Sequence, residues 1–216
     1  MLLLLCLAAP LRAEPIAILG LGDSLMAGYG LSRGSSFPAQ LQAALIQRGI
    51  DARVINAGVS GDTSAGGRAR LAWSLAERPD AAIVELGAND GLRGLPVAQM
   101  RDNLDAILSE LAARGIPTLL VGMRAPPNMG RDYGQAFQQA FVDLARKHDV
   151  AFYPFFLDGV AANAALNQDD GIHPTAEGVS EIVERILPTV EALVERALRG
   201  RRAASTGASR PRRLRR

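Results

Sequence analysis

The sequence predicts a single α/β domain whose five parallel strands are covered by helices on both faces. Two observations carry this. Short apolar runs alternate with segments of helical periodicity over residues 16–198, and the first three runs end alike on small and polar residues: Gly22-Asp23-Ser24, Asn56-Ala57-Gly58, and Gly87-Ala88-Asn89-Asp90-Gly91. A third concerns size: 216 residues, 48% hydrophobic and 21% charged, suit one domain with a full core.

Residues 16–21 form an apolar run closed by glycine, the pattern of a strand buried on both faces. The polar triplet ending in Ser24 follows at the carboxyl end of that strand, where open α/β sheets place ligands. Residues 37–48 place Phe37, Leu41 and Leu45 on one helical face and stop at Gly49. A second strand over 52–55 leads to Thr63, which can cap a helix over 63–76 before Pro79. Residues 81–86 form the third strand. The alternation continues with a helix over 96–114, a strand over 118–122, a Pro-rich loop over 124–130 and a helix over 133–148. A last strand over 150–153, a polar loop and a final helix over 175–198 complete the expected domain, residues 14–199.

The termini read differently. Residues 2–11 are an apolar run too short to span a bilayer, which takes about 20 residues. With Arg12-Ala13 after it, the run fits a secretory signal over residues 1–13, which places the mature chain in the periplasm or outside the cell. Cys6, the single cysteine, would leave with it, which excludes disulfides and cysteine-ligated metals. Eight arginines follow Leu198 with no acidic residue; the net charge of +2 therefore hides −6 on the remainder. Residues 200–216 read as a disordered, solvated Arg-rich tail rather than a nucleic-acid-binding element.

Acyl transfer needs a nucleophile, a base, a carboxylate to orient the base, and donors for an oxyanion. Of two histidines, His148 sits at a polar helix end beside Arg146 and Lys147, whereas His173 lies in Asp170-Gly171-Ile172-His173-Pro174, on the same sheet edge as Ser24. Asp170 is preferred to Asp169 as the orienting carboxylate because three residues of separation close a turn. The expected oxyanion donors are the backbone N–H groups of Ser24 and Gly61 and the Asn89 amide, all at strand ends. Other chemistries fit poorly. Leu25 stands where a dinucleotide motif needs glycine, no Walker sequence occurs, and no residues have metal-ligand spacing.

These blocks, Gly22-Asp23-Ser24-Leu25, Gly61, Gly87-Ala88-Asn89-Asp90 and Asp170-Gly171-Ile172-His173, resemble those of the SGNH (GDSL) hydrolase family. Longer runs such as Ser60-Gly61-Asp62-Thr63-Ser64 resemble its TesA-like subgroup of periplasmic thioesterases, lysophospholipases and arylesterases. The resemblance implies a three-layer α/β/α flavodoxin-like fold with strand order 2-1-3-4-5. It also implies cleavage of acyl esters, acyl-CoA or lysophospholipids through an acyl-Ser24 intermediate, with no cofactor; the chain is expected to hold no metal and to be a monomer. Asp90, Gly91, Leu92 and Pro126 are the substrate-binding residues it suggests. Two rivals remain: a carbohydrate O-acetylesterase, and a non-catalytic binding module on the same scaffold.

Overall fold

The computed structural model describes residues 14–207; the expected signal segment and the last nine residues lie outside them. Five parallel strands form one sheet, β1 (Ile16–Gly22), β2 (Ala52–Gly58), β3 (Ala81–Glu85), β4 (Thr118–Val121) and β5 (Ala151–Tyr153), in the expected order 2-1-3-4-5. β1 is buried along its whole length, and β3 and β4 are buried likewise, as strands covered on both faces must be.

Helix α2 (Phe37–Gln47) connects β1 to β2 and buries Phe37, Leu41 and Leu45. The chain then reverses direction across the sheet. Because such crossovers are right-handed, α3 (Ser64–Ser74), α5 (Val97–Ala113) and α6 (Arg131–His148) fall on the opposite face, and α7 (Ala176–Gly207) returns to pack beside α2. The reversal leaves a crevice outside the carboxyl ends of β1 and β3, where α1 (Ser24–Ala27) and α4 (Ala88–Leu92) begin. Both are single short turns. Gly58 allows the tight closure here: a Cβ on it would lie 2.2 Å from the Ala27 nitrogen.

The tail departs from expectation. Helix α7 does not stop near Leu198 but runs to Gly207, so residues 200–207 are helical rather than disordered. An apolar stripe of Val190, Leu193, Val194 and Ala197 drives the helix along the sheet. Beyond it the Arg201 guanidinium pairs with the Asp80 carboxylate and donates to the carbonyls of Glu14 (3.1 Å) and Pro15 (3.2 Å). Asp80 also accepts the Ala17 N–H at 2.7 Å. One cation thus ties the end of α7 to the beginnings of β1 and β3, and its partner lies 121 residues away in the chain.

Arg201→Ala leaves the Asp80 carboxylate, only 16% exposed, without its counter-ion. A partly buried pair of this kind stabilises by about 1–2 kcal/mol, and thermal unfolding should show Tm lowered by about 2–8 °C. An unchanged Tm would show that the helix extension contributes nothing to the fold.

Candidate active site

Ser24 begins α1 immediately after β1. Asp23 caps this turn, its Oδ1 accepting the Leu25 N–H at 3.0 Å, so the nucleophile candidate is presented at the rim and not in the core. His173 arrives from the opposite side, on the long loop between β5 and α7. Gln168 moors that loop: its backbone N–H donates to the His173 carbonyl (2.7 Å), and its amide donates to the carbonyls of Tyr29 (2.8 Å) and Pro174 (2.9 Å).

The His173 Nε2 lies 2.9 Å from Ser24 Oγ, and Nδ1 lies 2.6 Å from Asp170 Oδ2. Asp170 folds back over the Gly171 turn, where φ is +68°, and its Oδ1 accepts the N–H groups of Ile172 (2.9 Å) and His173 (3.0 Å). Hydrogen bonds from the His173 N–H, the His173 ring and the Ile172 N–H hold this carboxyl down to about 2. An ionised Asp170 accepts from Nδ1–H and leaves Nε2 free to accept the Ser24 hydroxyl proton. The Tyr29 ring lies against the imidazole, centroid to centroid 4.6 Å.

Ser24, Gly61, Asn89 and His173 line one groove of about 690 Å³, with Leu25, Leu92, Met123, Pro126, Phe155 and Ile172 among its apolar walls. Gly61, at φ +84°, turns the loop after β2 toward this groove, and Arg93 holds its carbonyl at 2.8 Å. The Asn89 amide donates to Asp62 O (2.9 Å) and to Asp23 Oδ2 (3.2 Å).

Leu92 and Pro126 are on the groove, but Asp90 and Gly91 are not, which corrects the expectation. Successive residues of a helix point about 100° apart, so with Asn89 facing the groove Asp90 turns inward. It is 1% exposed and accepts the Ser64 N–H (2.8 Å) and hydroxyl (2.6 Å), securing the start of α3. Gly91 is buried against the Phe137 ring. His148 lies in another region, its Nε2 2.6 Å from Asp105 Oδ1, a carboxylate also paired with Lys147.

The sequence reading does not single out Tyr29, Arg70 or Glu85. Glu85 leaves one trace, a carboxylate within an apolar strand. It is fully buried beneath the Ser24 turn, with no hydrogen-bond partner for Oε1 among the described residues and Oε2 3.4 Å from the Asp23 N–H. Burial pushes its carboxyl well above the ordinary glutamate value, and the neighbouring Asp23 charge adds to this. Burial likewise raises Asp23, to about 6.

The model of the GDSL-like Lipase/Acylhydrolase family matches residues 21–180. The chain belongs to this family. Esterase TesA of Pseudomonas aeruginosa is 42% identical over 193 residues, 88% of this chain and 96% of that protein. Thioesterase 1/protease 1/lysophospholipase L1 of Escherichia coli K12 is 39% identical over 178 residues, 82% and 84% of the two chains. The crystal structure of AlinE4, an SGNH-hydrolase family esterase, superposes with a TM-score of 0.72 at 51% identity, covering 84% of this chain and 97% of its own. The run Gly22-Asp23-Ser24-Leu25, with the cap and turn described above, lies within the matched residues.

Above the ordinary glutamate value the unfolded chain releases the Glu85 proton while the native fold retains it, so the stability linked to this proton falls as pH rises. Glu85→Gln cannot ionise in either state. Its Tm relative to the unsubstituted protein should therefore climb between pH 5 and pH 8, whereas a constant difference across that range would show that Glu85 is ionised in the fold.

Proposed function

We propose that this protein hydrolyses carboxylic ester and thioester bonds of acyl substrates, including aryl and alkyl esters, acyl-CoA and lysophospholipids, through an acyl-Ser24 intermediate. The observation that carries the proposal is the chain of hydrogen bonds Ser24–His173–Asp170, whose Ser24 and His173 line an apolar groove. The related proteins named esterase and thioesterase/lysophospholipase support both bond types.

In this mechanism His173 Nε2 takes the Ser24 proton as Oγ attacks the substrate carbonyl, and Asp170 stabilises the imidazolium without taking a proton itself. The developing oxyanion accepts from the N–H groups of Ser24 and Gly61 and from Asn89. The Asn89 contact with Asp23, the longer of its two, is the one the oxyanion displaces. His173 then protonates the departing alcohol or thiol, leaving the acyl group on Ser24. Water, deprotonated by His173, releases the acid and restores the serine. No step draws on a cofactor or metal. The groove volume of about 690 Å³ suits an acyl chain and exceeds what an acetyl group fills.

The substrates are small molecules, and among the described residues no helix is long and apolar enough to cross a membrane. Residues 1–13, read as a secretory signal, support a periplasmic or secreted site of action, and the chain is taken to act as a monomer.

Ser24→Ala should abolish p-nitrophenyl acyl ester hydrolysis, a loss on the order of 10³ or more, with the fold intact by circular dichroism; near-normal turnover would refute the nucleophile. Labelling of the unsubstituted protein by a fluorophosphonate separates it from a binding module, which should not react. Asn89→Ala should lower kcat by about 10²–10³ with little change in KM. Across a series of p-nitrophenyl esters from acetyl to palmitoyl, kcat/KM should be highest beyond acetyl, and strict acetyl preference would favour an O-acetylesterase.

A further inference from the structure

We infer that Arg70 is a positioning residue that holds the three oxyanion donors in register. The inference rests on the catalytic reading above and concerns a side chain outside the groove.

Arg70 projects from α3 beneath the rim, its side chain 18% exposed. One guanidinium makes three short contacts. Nε donates to Asp62 Oδ2 at 2.6 Å, Nη1 to the Ala57 carbonyl at 2.6 Å, and Nη2 to the Gly22 carbonyl at 2.7 Å. Each partner adjoins one source of the oxyanion hole. Gly22 precedes the Asp23-Ser24 turn. Ala57 lies at the end of β2, from which the Gly61 loop departs. Asp62 follows Gly61 directly, and its carbonyl accepts the Asn89 amide at 2.9 Å. The Gly22 carbonyl also accepts the Val59 N–H at 3.1 Å, so the ends of β1 and β2 and the Gly61 loop converge on a single planar cation.

The fork geometry matters because the guanidinium offers five N–H donors in a fixed plane, whereas a lysine ammonium is a point donor on a flexible stem. Without the fork, two carbonyls lose a donor and Asp62, 19% exposed, loses its counter-charge. The Asp62 peptide is then free to shift, and with it the aim of both Gly61 and Asn89. Substrate contacts along the apolar groove walls are untouched, so the effect falls on the transition state and not on binding.

The test compares Arg70→Lys and Arg70→Ala with Ser24→Ala in steady-state hydrolysis of p-nitrophenyl butyrate, well below the Tm of each variant. Removing one oxyanion donor outright costs about 10²–10³ in turnover; donors retained but mis-aimed should cost about 10–100-fold in kcat, with KM within about twofold. Fluorophosphonate labelling of Ser24 should slow in parallel, because that reaction also develops charge on an oxygen in the hole. Millimolar methylguanidinium should restore part of the kcat of Arg70→Ala, which a general loss of stability would not allow. Should neither arginine variant fold, Asp62→Asn weakens the same contact and must show the same kcat-only loss. An inactive Ser24→Ala beside Arg70 variants, or Asp62→Asn, of unchanged kcat overturns this inference alone. Full activity in Ser24→Ala overturns the catalytic reading and this inference with it.

Discussion

The hydrogen bond between His173 and Ser24 joins residues 149 apart in the chain, and the rest of the molecule can be understood as what holds its two ends in place. One end is short and rigid: Ser24 follows a fully buried strand by two residues and sits on a turn that Asp23 caps. The other end hangs on a long loop leaving the edge strand β5, and a loop of that kind carries substantial freedom. Its position is specified by the Gln168 amide, which bonds Tyr29 next to the nucleophile turn and Pro174 next to the base. A single side chain therefore couples the two halves of the catalytic pair.

The electrostatics of the site divide between its surface and its floor. Asp170 is exposed, accepts three hydrogen bonds and stays ionised at little desolvation cost, which suits a group whose task is to orient an imidazole. Asp23 and Glu85 lie beneath, removed from water, and burial raises both. An unpartnered carboxyl oxygen in a fully buried position is costly to stability. Its place under the nucleophile fits the tendency of strained and ionisable groups to gather where function is. The Arg70–Asp62 pair adds a second charge layer to the same floor, half-hidden under the oxyanion side of the groove.

The distribution of cost across the chain follows the same logic. Regions far from the rim are conventional: Leu, Ile and Phe side chains fill both helix layers, and α7 closes the amino-terminal ends of β1 and β3 through Arg201 and Asp80. Buried carboxylates, and donors already engaged with neighbouring acceptors, gather at the carboxyl ends of β1 and β3, beside the positive-φ turns at Gly61 and Gly171. There the backbone must present several polar groups toward one point, and local regularity gives way to that requirement.

Alternation of apolar runs with amphipathic segments was enough to determine five parallel strands and their covering helices, because that period arises from which faces are buried. The polar blocks at the strand ends likewise determined Ser24, Gly61, Asn89, Asp170 and His173 as the residues to watch, since nucleophile, base and glycine turns leave marks in a linear sequence. What only the tertiary structure decided were matters of direction and distant partnership. A helical turn at α4 sends Asp90 inward to Ser64 while its neighbour Asn89 faces the groove. Arg201 holds the end of an Arg-rich segment in place because Asp80 lies opposite, and Arg70 gathers three carbonyl and carboxylate oxygens from separate elements. Burial periodicity is a local property written every few residues, whereas the rotation of one short turn and the meeting of charges more than a hundred residues apart exist only once the chain has folded.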